Sequence, residues 1–141
     1  MGGRTLRCLL AAAGLFALAG CASIPGGCPA AGEKAQLTAE VLFGRNIGDR
    51  HGVTDARWTD FLNTVVTPRF PQGFTVVDGT GQWRDAKRGH VVREKSKLLV
   101  ITDVDDPARR ERLSEIMQIY KKRFAQDAVL SMVRPACVAF N

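Results

Sequence analysis

Leu37, Ala39, Val41 and Phe43 alternate with Thr38, Glu40 and Leu42, a pattern that predicts a half-buried strand. The period then changes. Trp58, Phe61, Leu62 and Val65 fall at i, i+3, i+4 and i+7, one face of a helix, and Thr54 stands where an N-cap belongs. Thr67-Pro68 ends that helix, because the residue before a proline avoids helical geometry. Phe74 to Asp78 predicts a short strand, and Gly79-Thr80-Gly81 a turn-rich stretch leading to Gln82, Trp83 and Arg84. A long second arm, His90 to Asp103, closes on the apolar run Leu98-Leu99-Val100-Ile101. Asp106-Pro107 supplies an N-cap and a first-turn proline for a second helix, whose buried stripe is Leu113, Ile116, Met117, Tyr120 and Phe124. Ala128 to Val133 reads as the last strand, followed by Pro135-Ala136-Cys137.

Strand, helix, strand, strand, helix, strand is the ferredoxin-like βαββαβ order. The expected α+β fold is a four-stranded antiparallel sheet with both helices on one face, burying the two apolar stripes. In space the strands should run fourth, first, third, second. That places the beginning of the first strand beside the end of the last.

The chain's beginning has a different character. Arg4 and Arg7 precede an apolar run from Leu9 to Leu18, well short of the roughly 20 residues a spanning helix needs. The run closes on Leu18-Ala19-Gly20-Cys21, which resembles the lipobox of bacterial lipoproteins. The resemblance implies a leader over residues 1–20, cleaved before a lipidated Cys21, a flexible tether over residues 21–34, and a single domain over residues 35–141. It further implies a cell-envelope location, with the lipid in the outer membrane and the domain facing the periplasm. The 20 basic and 14 acidic residues give a formal charge of +6, and loss of Arg4 and Arg7 with the leader leaves +4. Such a mild charge describes an ordinary solvated surface, one also suited to anionic lipid or cell-wall polymer. An exported chain seldom meets nucleic acid, so none is expected as a partner.

With Cys8 lost and Cys21 lipidated, Cys28 and Cys137 remain to pair in an oxidising compartment. In the chain-entropy model such a bridge contributes roughly 2–4 kcal/mol. Two cysteines without neighbouring histidines do not complete a metal site, and His51 and His90 are isolated, so neither metal nor other cofactor is expected.

The topology gathers a second set of residues. Arg45 and Asn46 follow the first strand, Arg93 and Glu94 begin the third, and Asp78 ends the short second one, with Gln82, Trp83, Arg84 and Asp85 nearby. Arg45 continues the phase of Val41 and Phe43, and Glu94 that of Ser96, Leu98 and Val100, so both are expected to point inward and pair. Two readings follow. Arg45, Asp78, Arg84 and Glu94 form a network closing the open end of the core, or they line a pocket for an anionic or polar ligand with Trp83 as a wall. Gly79-Thr80-Gly81 lacks the context of a dinucleotide site. Asp103, Asp105 and Asp106 lack the glycine and glutamate of a calcium loop. Ser96 and the threonines have no histidine to activate them.

Five motifs in order bring a family resemblance. They are Phe43-Gly44-Arg45-Asn46, Thr67-Pro68-Arg69-Phe70-Pro71, Asp78-Gly79 with Gly81-Gln82-Trp83-Arg84-Asp85, Arg93-Glu94-Lys95-Ser96-Lys97, and Pro135-Ala136-Cys137. From about Ala35 to Phe140 the chain resembles a bacterial family, domain of unknown function 3574, whose members often carry a lipoprotein or secretory leader. The family implies no established activity. The expected function is therefore a non-catalytic envelope lipoprotein domain that binds a small anionic ligand or envelope partner through Arg45, Arg84 and Glu94. The alternatives are a small enzyme using Glu94 as acid or base beside Arg45, and a module dimerising through the uncovered sheet face. A strongly perturbed Glu94 beside an empty, sizeable cavity favours the enzyme, and a flush Arg–Glu bridge with no cavity favours a surface or structural role.

Overall fold

The computed structural model describes residues 27–140 apart from residues 49 and 87. The leader expected over residues 1–20, Cys21 and the first part of the expected tether lie outside the described residues. Strand β1 (Lys34–Gly44) is followed by a two-residue pair of strands, β2 (Asn46–Ile47) and β3 (Arg50–His51), and helix α1 (Asp55–Phe61). Then come β4 (Thr75–Arg84), β5 (Val91–Asp103), α2 (Pro107–Arg123) and β6 (Leu130–Val138). The main sheet has the order β4-β5-β1-β6 with every pairing antiparallel, which is the arrangement expected from the sequence.

The helices form where their caps and stripes dictate. Thr54 accepts from the Arg57 backbone N–H at 3.3 Å and Asp106 from that of Arg109 at 2.9 Å, each satisfying an amide that its helix leaves open. At Leu62–Val66 the first helix widens into a π-helical turn, closed by Thr67 N–H donating to Leu62 O at 2.8 Å. The wider turn lets the adjacent Val65 and Val66 both reach the core before Pro68 ends the helix. On α2, Leu113, Ile116, Tyr120 and Phe124 are buried as the stripe requires. Phe43 from β1 meets Trp58, Phe61 and Tyr120 with ring centroids 5.4, 5.8 and 4.6 Å apart, so one strand residue joins both helices to the sheet.

Alternation gives the sheet two unlike faces. Ala39, Val41, Phe43, Leu99 and Ile101 are buried under the helices. The opposite face, carrying Thr38, Glu40, Leu42, Glu94, Ser96, Leu98 and Val100, has no helix over it among the described residues.

Two expectations need correction. Gly79-Thr80-Gly81 is not a turn: β4 runs through it to Arg84, paired with Ser96, Lys95 and Glu94 of β5. Gly79 serves a close approach there, since a Cβ on it would lie 3.0 Å from Ser96 Oγ. The reversal comes later, where Asp85 N–H donates to His90 O at 2.9 Å and Gly89 takes a φ of 72°. The last strand starts at Leu130 instead of Ala128 and runs on through Pro135, which an edge strand tolerates because one side of its backbone is unpaired.

Cys28 and Cys137 are disulfide-bonded with their Cα atoms 5.5 Å apart. The bridge joins residues 109 apart in sequence where β1 begins beside the end of β6. Among the described residues no helix is long and apolar enough to cross a membrane.

Candidate functional site

Beyond Leu42 the open face of the sheet becomes small and polar. Across the ladder Gly44 stands opposite Ser96, which stands opposite Gly79, and Glu94 stands opposite Gly81. The row is low because its glycines have no side chains. Trp83 rises from β4 on one side, and the segment Ala125–Ala128 between α2 and β6 rises on the other. The cleft between them has a volume of about 650 Å³.

Glu94 is held in this cleft from two directions. Its Oε1 accepts the Asn46 backbone N–H at 2.7 Å. Its carboxylate also lies flat on Gly44, where an added Cβ would sit 2.6 Å from Oε1. Asn46 is fixed in turn, because Gln126 Nε2 donates to its carbonyl and, at 3.1 Å, to that of Phe124. Beneath the same glycine, the Tyr120 hydroxyl donates to Gly44 O at 2.7 Å, and burial pushes that phenol above its ordinary range. Gly44 thus has the aromatic core on one side and the Glu94 carboxylate on the other.

The structure divides the residues that the sequence gathered. Gln82, Trp83 and Glu94 line the cleft. Arg45 does not meet Glu94. It lies on the helix-covered face at 4% exposure, its Nε donating to Val53 O at 2.8 Å and its Nη2 lying 2.9 Å from Asp55 Oδ1. Asp78 is also on that face, 2.5 Å from Lys97 Nζ, and Lys97 reaches Asp55 at 3.5 Å. Arg84 stands opposite Val91 at the far end of the hairpin, outside the cleft. The phase of Glu94 was misread for a physical reason. Leu98-Leu99-Val100-Ile101 is apolar on both phases, and the helices cover Leu99 and Ile101. Glu94, in phase with Leu98, therefore faces the other way.

Sequence reasoning missed Lys97, nearly buried at 8% exposure, and Asp55 as the partner of Arg45. The signal for Lys97 was its phase with Leu99 and Ile101. The Arg45 guanidinium, then Lys97, hold the Asp55 carboxyl below its usual range against the opposing effect of desolvation. Gln126 and Gly44 were missed as site residues because their roles depend on contacts between distant segments. Cys28, Glu33 and Cys137 are the one cluster with metal-ligand chemistry among the described residues, and both thiols are committed to the disulfide.

The cleft lies on a fold shared with known structures. A phage SAM lyase in complex with S-methyl-5'-thioadenosine superposes with a TM-score of 0.58 at 17% identity, covering 74% of this chain and 90% of that one. The phage SAM lyase in its apo state gives 0.56 at 17% identity, with 75% and 90% covered. CutA from Synechococcus elongatus gives 0.51 at 13% identity, with 76% and 83% covered. At such identities the likeness establishes the ferredoxin-like fold. No curated protein matches the sequence. The family model described as "Protein of unknown function (DUF3574)" matches residues 38–140, and the chain belongs to that family.

Proposed function

We propose that the domain binds a small ligand in the cleft on the open face of the sheet, with Glu94 as its polar anchor. The observation that carries this reading is the placement of that carboxylate, fixed by Asn46 and Gly44 at the floor of a cavity with an aromatic wall. Among the described residues Oε2 accepts no protein hydrogen bond, so it is available to a ligand. A volume of about 650 Å³ falls within the roughly 300–1,000 Å³ of small-molecule sites.

The lining argues for the ligand's charge. Asp85, Glu94 and Asp127 face the cleft with Arg88, while Arg45 and Arg84 do not. Among the described residues carboxylates predominate, Glu94 and Asp127 beside the Asp85–Arg88 pair, so a cationic or hydrogen-bond-donating head group fits better than the anion expected from the sequence. Trp83, 47% exposed, offers its ring to a flat body. Binding is preferred to acid–base catalysis because the arginine meant to assist Glu94 lies on the opposite face of the sheet. The shared fold of the phage SAM lyase makes thionucleosides sensible first probes.

Calorimetric titration with S-methyl-5'-thioadenosine, S-adenosylmethionine and adenosine, set against adenosine monophosphate, tests the reading. Binding of an uncharged or cationic probe, weakened at least tenfold by Glu94→Gln and by Trp83→Ala, supports it. Equal binding by Glu94→Gln, or preference for the monophosphate, overturns it. We further infer that the domain works at a membrane surface, tethered by lipid on Cys21. Cys21→Ser should then move the protein from the membrane to the soluble fraction.

A further inference from the structure

The sheet register lays out a feature that ligand binding alone does not explain. On the open face Val77 stands opposite Leu98, Leu98 opposite Leu42, and Leu42 opposite Leu130, an aliphatic row across all four strands. The next row adds Val100 and Met132 on either side of Glu40. Val77, Leu130 and Met132 are 47%, 55% and 45% exposed. A solvated antiparallel sheet normally presents polar residues on its outer face, and a continuous apolar patch marks a surface that is covered in use.

Resting on the cleft reading above, we propose that this face packs against the same face of a second copy of the chain, and that the second copy closes the cleft. Three observations select this occupant. The polar residues at the stripe are already matched within the chain: Glu40 forms an ion pair with Arg134, and the neutral Thr38 Oγ1 lies 3.1 Å from Thr102 Oγ1. A like partner therefore buries no unpaired charge, whereas a charged partner would find nothing to answer it. The size is right as well. The four staggered strands, with β1 eleven residues long, make an open face of roughly 700 Å² with the cleft included. A standard interface takes about 800 Å² per partner. Finally, Leu42 and Leu130 belong to both the stripe and the cleft lining, so a copy seated on the stripe borders the cleft directly. An isologous contact of this kind needs one self-complementary patch, and an aliphatic row meets that condition.

The test is the mass of the full chain in mild detergent, by sedimentation equilibrium, beside the double variant Leu130→Glu with Met132→Glu. Both side chains are exposed on an edge strand, so the variant keeps its fold, which circular dichroism checks. The wild type should sediment at twice the chain mass and the variant at the chain mass, and a wild type at three times the chain mass overturns the two-fold contact. The variant should also bind any cleft probe at least fivefold more weakly. Trp83→Ala, outside the stripe, should weaken the probe without changing the mass. A monomeric wild type overturns the proposal and assigns the face to lipid or to the chain's first 26 residues. A double variant that keeps the wild-type mass also overturns it, and a monomeric variant with unchanged probe affinity overturns the closure of the cleft. The mass needs no ligand, so failure of the ligand reading is distinguishable from failure of this one.

Discussion

Gly44 is the residue at which core and cleft come closest. An alanine there drives its Cβ into the Glu94 carboxylate, and the Tyr120 hydroxyl holds the backbone from beneath. Gly44→Ala should cost about 1–3 kcal/mol in denaturant unfolding and should displace Glu94, weakening any cleft ligand as Glu94→Gln does. Tyr120 is the chain's single tyrosine, so tyrosinate absorbance reports on it alone. Its folded value is raised by burial. The stability it contributes is therefore complete below pH 10.0, its ordinary value, and is lost as the pH rises toward the folded value. An alkaline titration should show little tyrosinate until the protein unfolds. Asp55 has the opposite sign. Lowered by Arg45 and Lys97, it contributes stability above pH 3.8 that is lost as the pH falls through its lower folded value, and Asp55→Asn should flatten that part of the acid unfolding curve. Single residues were the least legible scale in the sequence. Trp83 and Glu94 stood out by type, but Glu94's direction lay hidden in a run apolar on both phases, and Gly44 carries no side chain to signal its contacts.

At the scale of elements, helices declared themselves and the hairpin did not. Thr54, Asp106 and Pro107 mark the helix starts, and the stripes name most of the buried residues. In β4 the glycines look like turn residues, and only the pairing with β5 shows that they belong to a strand. Gly79 and Gly81 differ within that strand. A Cβ on Gly79 meets Ser96 Oγ, whereas one on Gly81 finds no closer atom than Glu94 O at 4.0 Å. Gly81→Val should therefore fold at least as stably as the wild type, by up to about 1 kcal/mol in thermal unfolding, because valine favours strands. It should also fill the cleft and abolish probe binding. Loss of binding with retained stability would separate the cleft's role from that of the sheet.

For the whole molecule, the order of elements was enough to give the sheet topology, because right pairing and burial of two helical stripes leave few arrangements. The cleft was not legible at this scale. It depends on how the segment after α2 stands against the β4–β5 hairpin, and neither sequence motif points at the other. The disulfide was legible from cysteine arithmetic and topology together. Reducing it should lower unfolding stability by about 2–4 kcal/mol with little change in the folded spectrum, as thermal unfolding with and without reductant would measure.

The position of that bridge also has a mechanical meaning. A pull arriving from the N-terminal side reaches Cys28 first and divides there between β1 and, through Cys137, β6. These neighbouring strands pair from Lys34 with Val138 to Leu42 with Leu130, so neither can be peeled from the other starting at the loaded end. A pull arriving there would act on the two strands as one unit from the same end, and the cleft beyond Gly44 lies at the opposite end of β1.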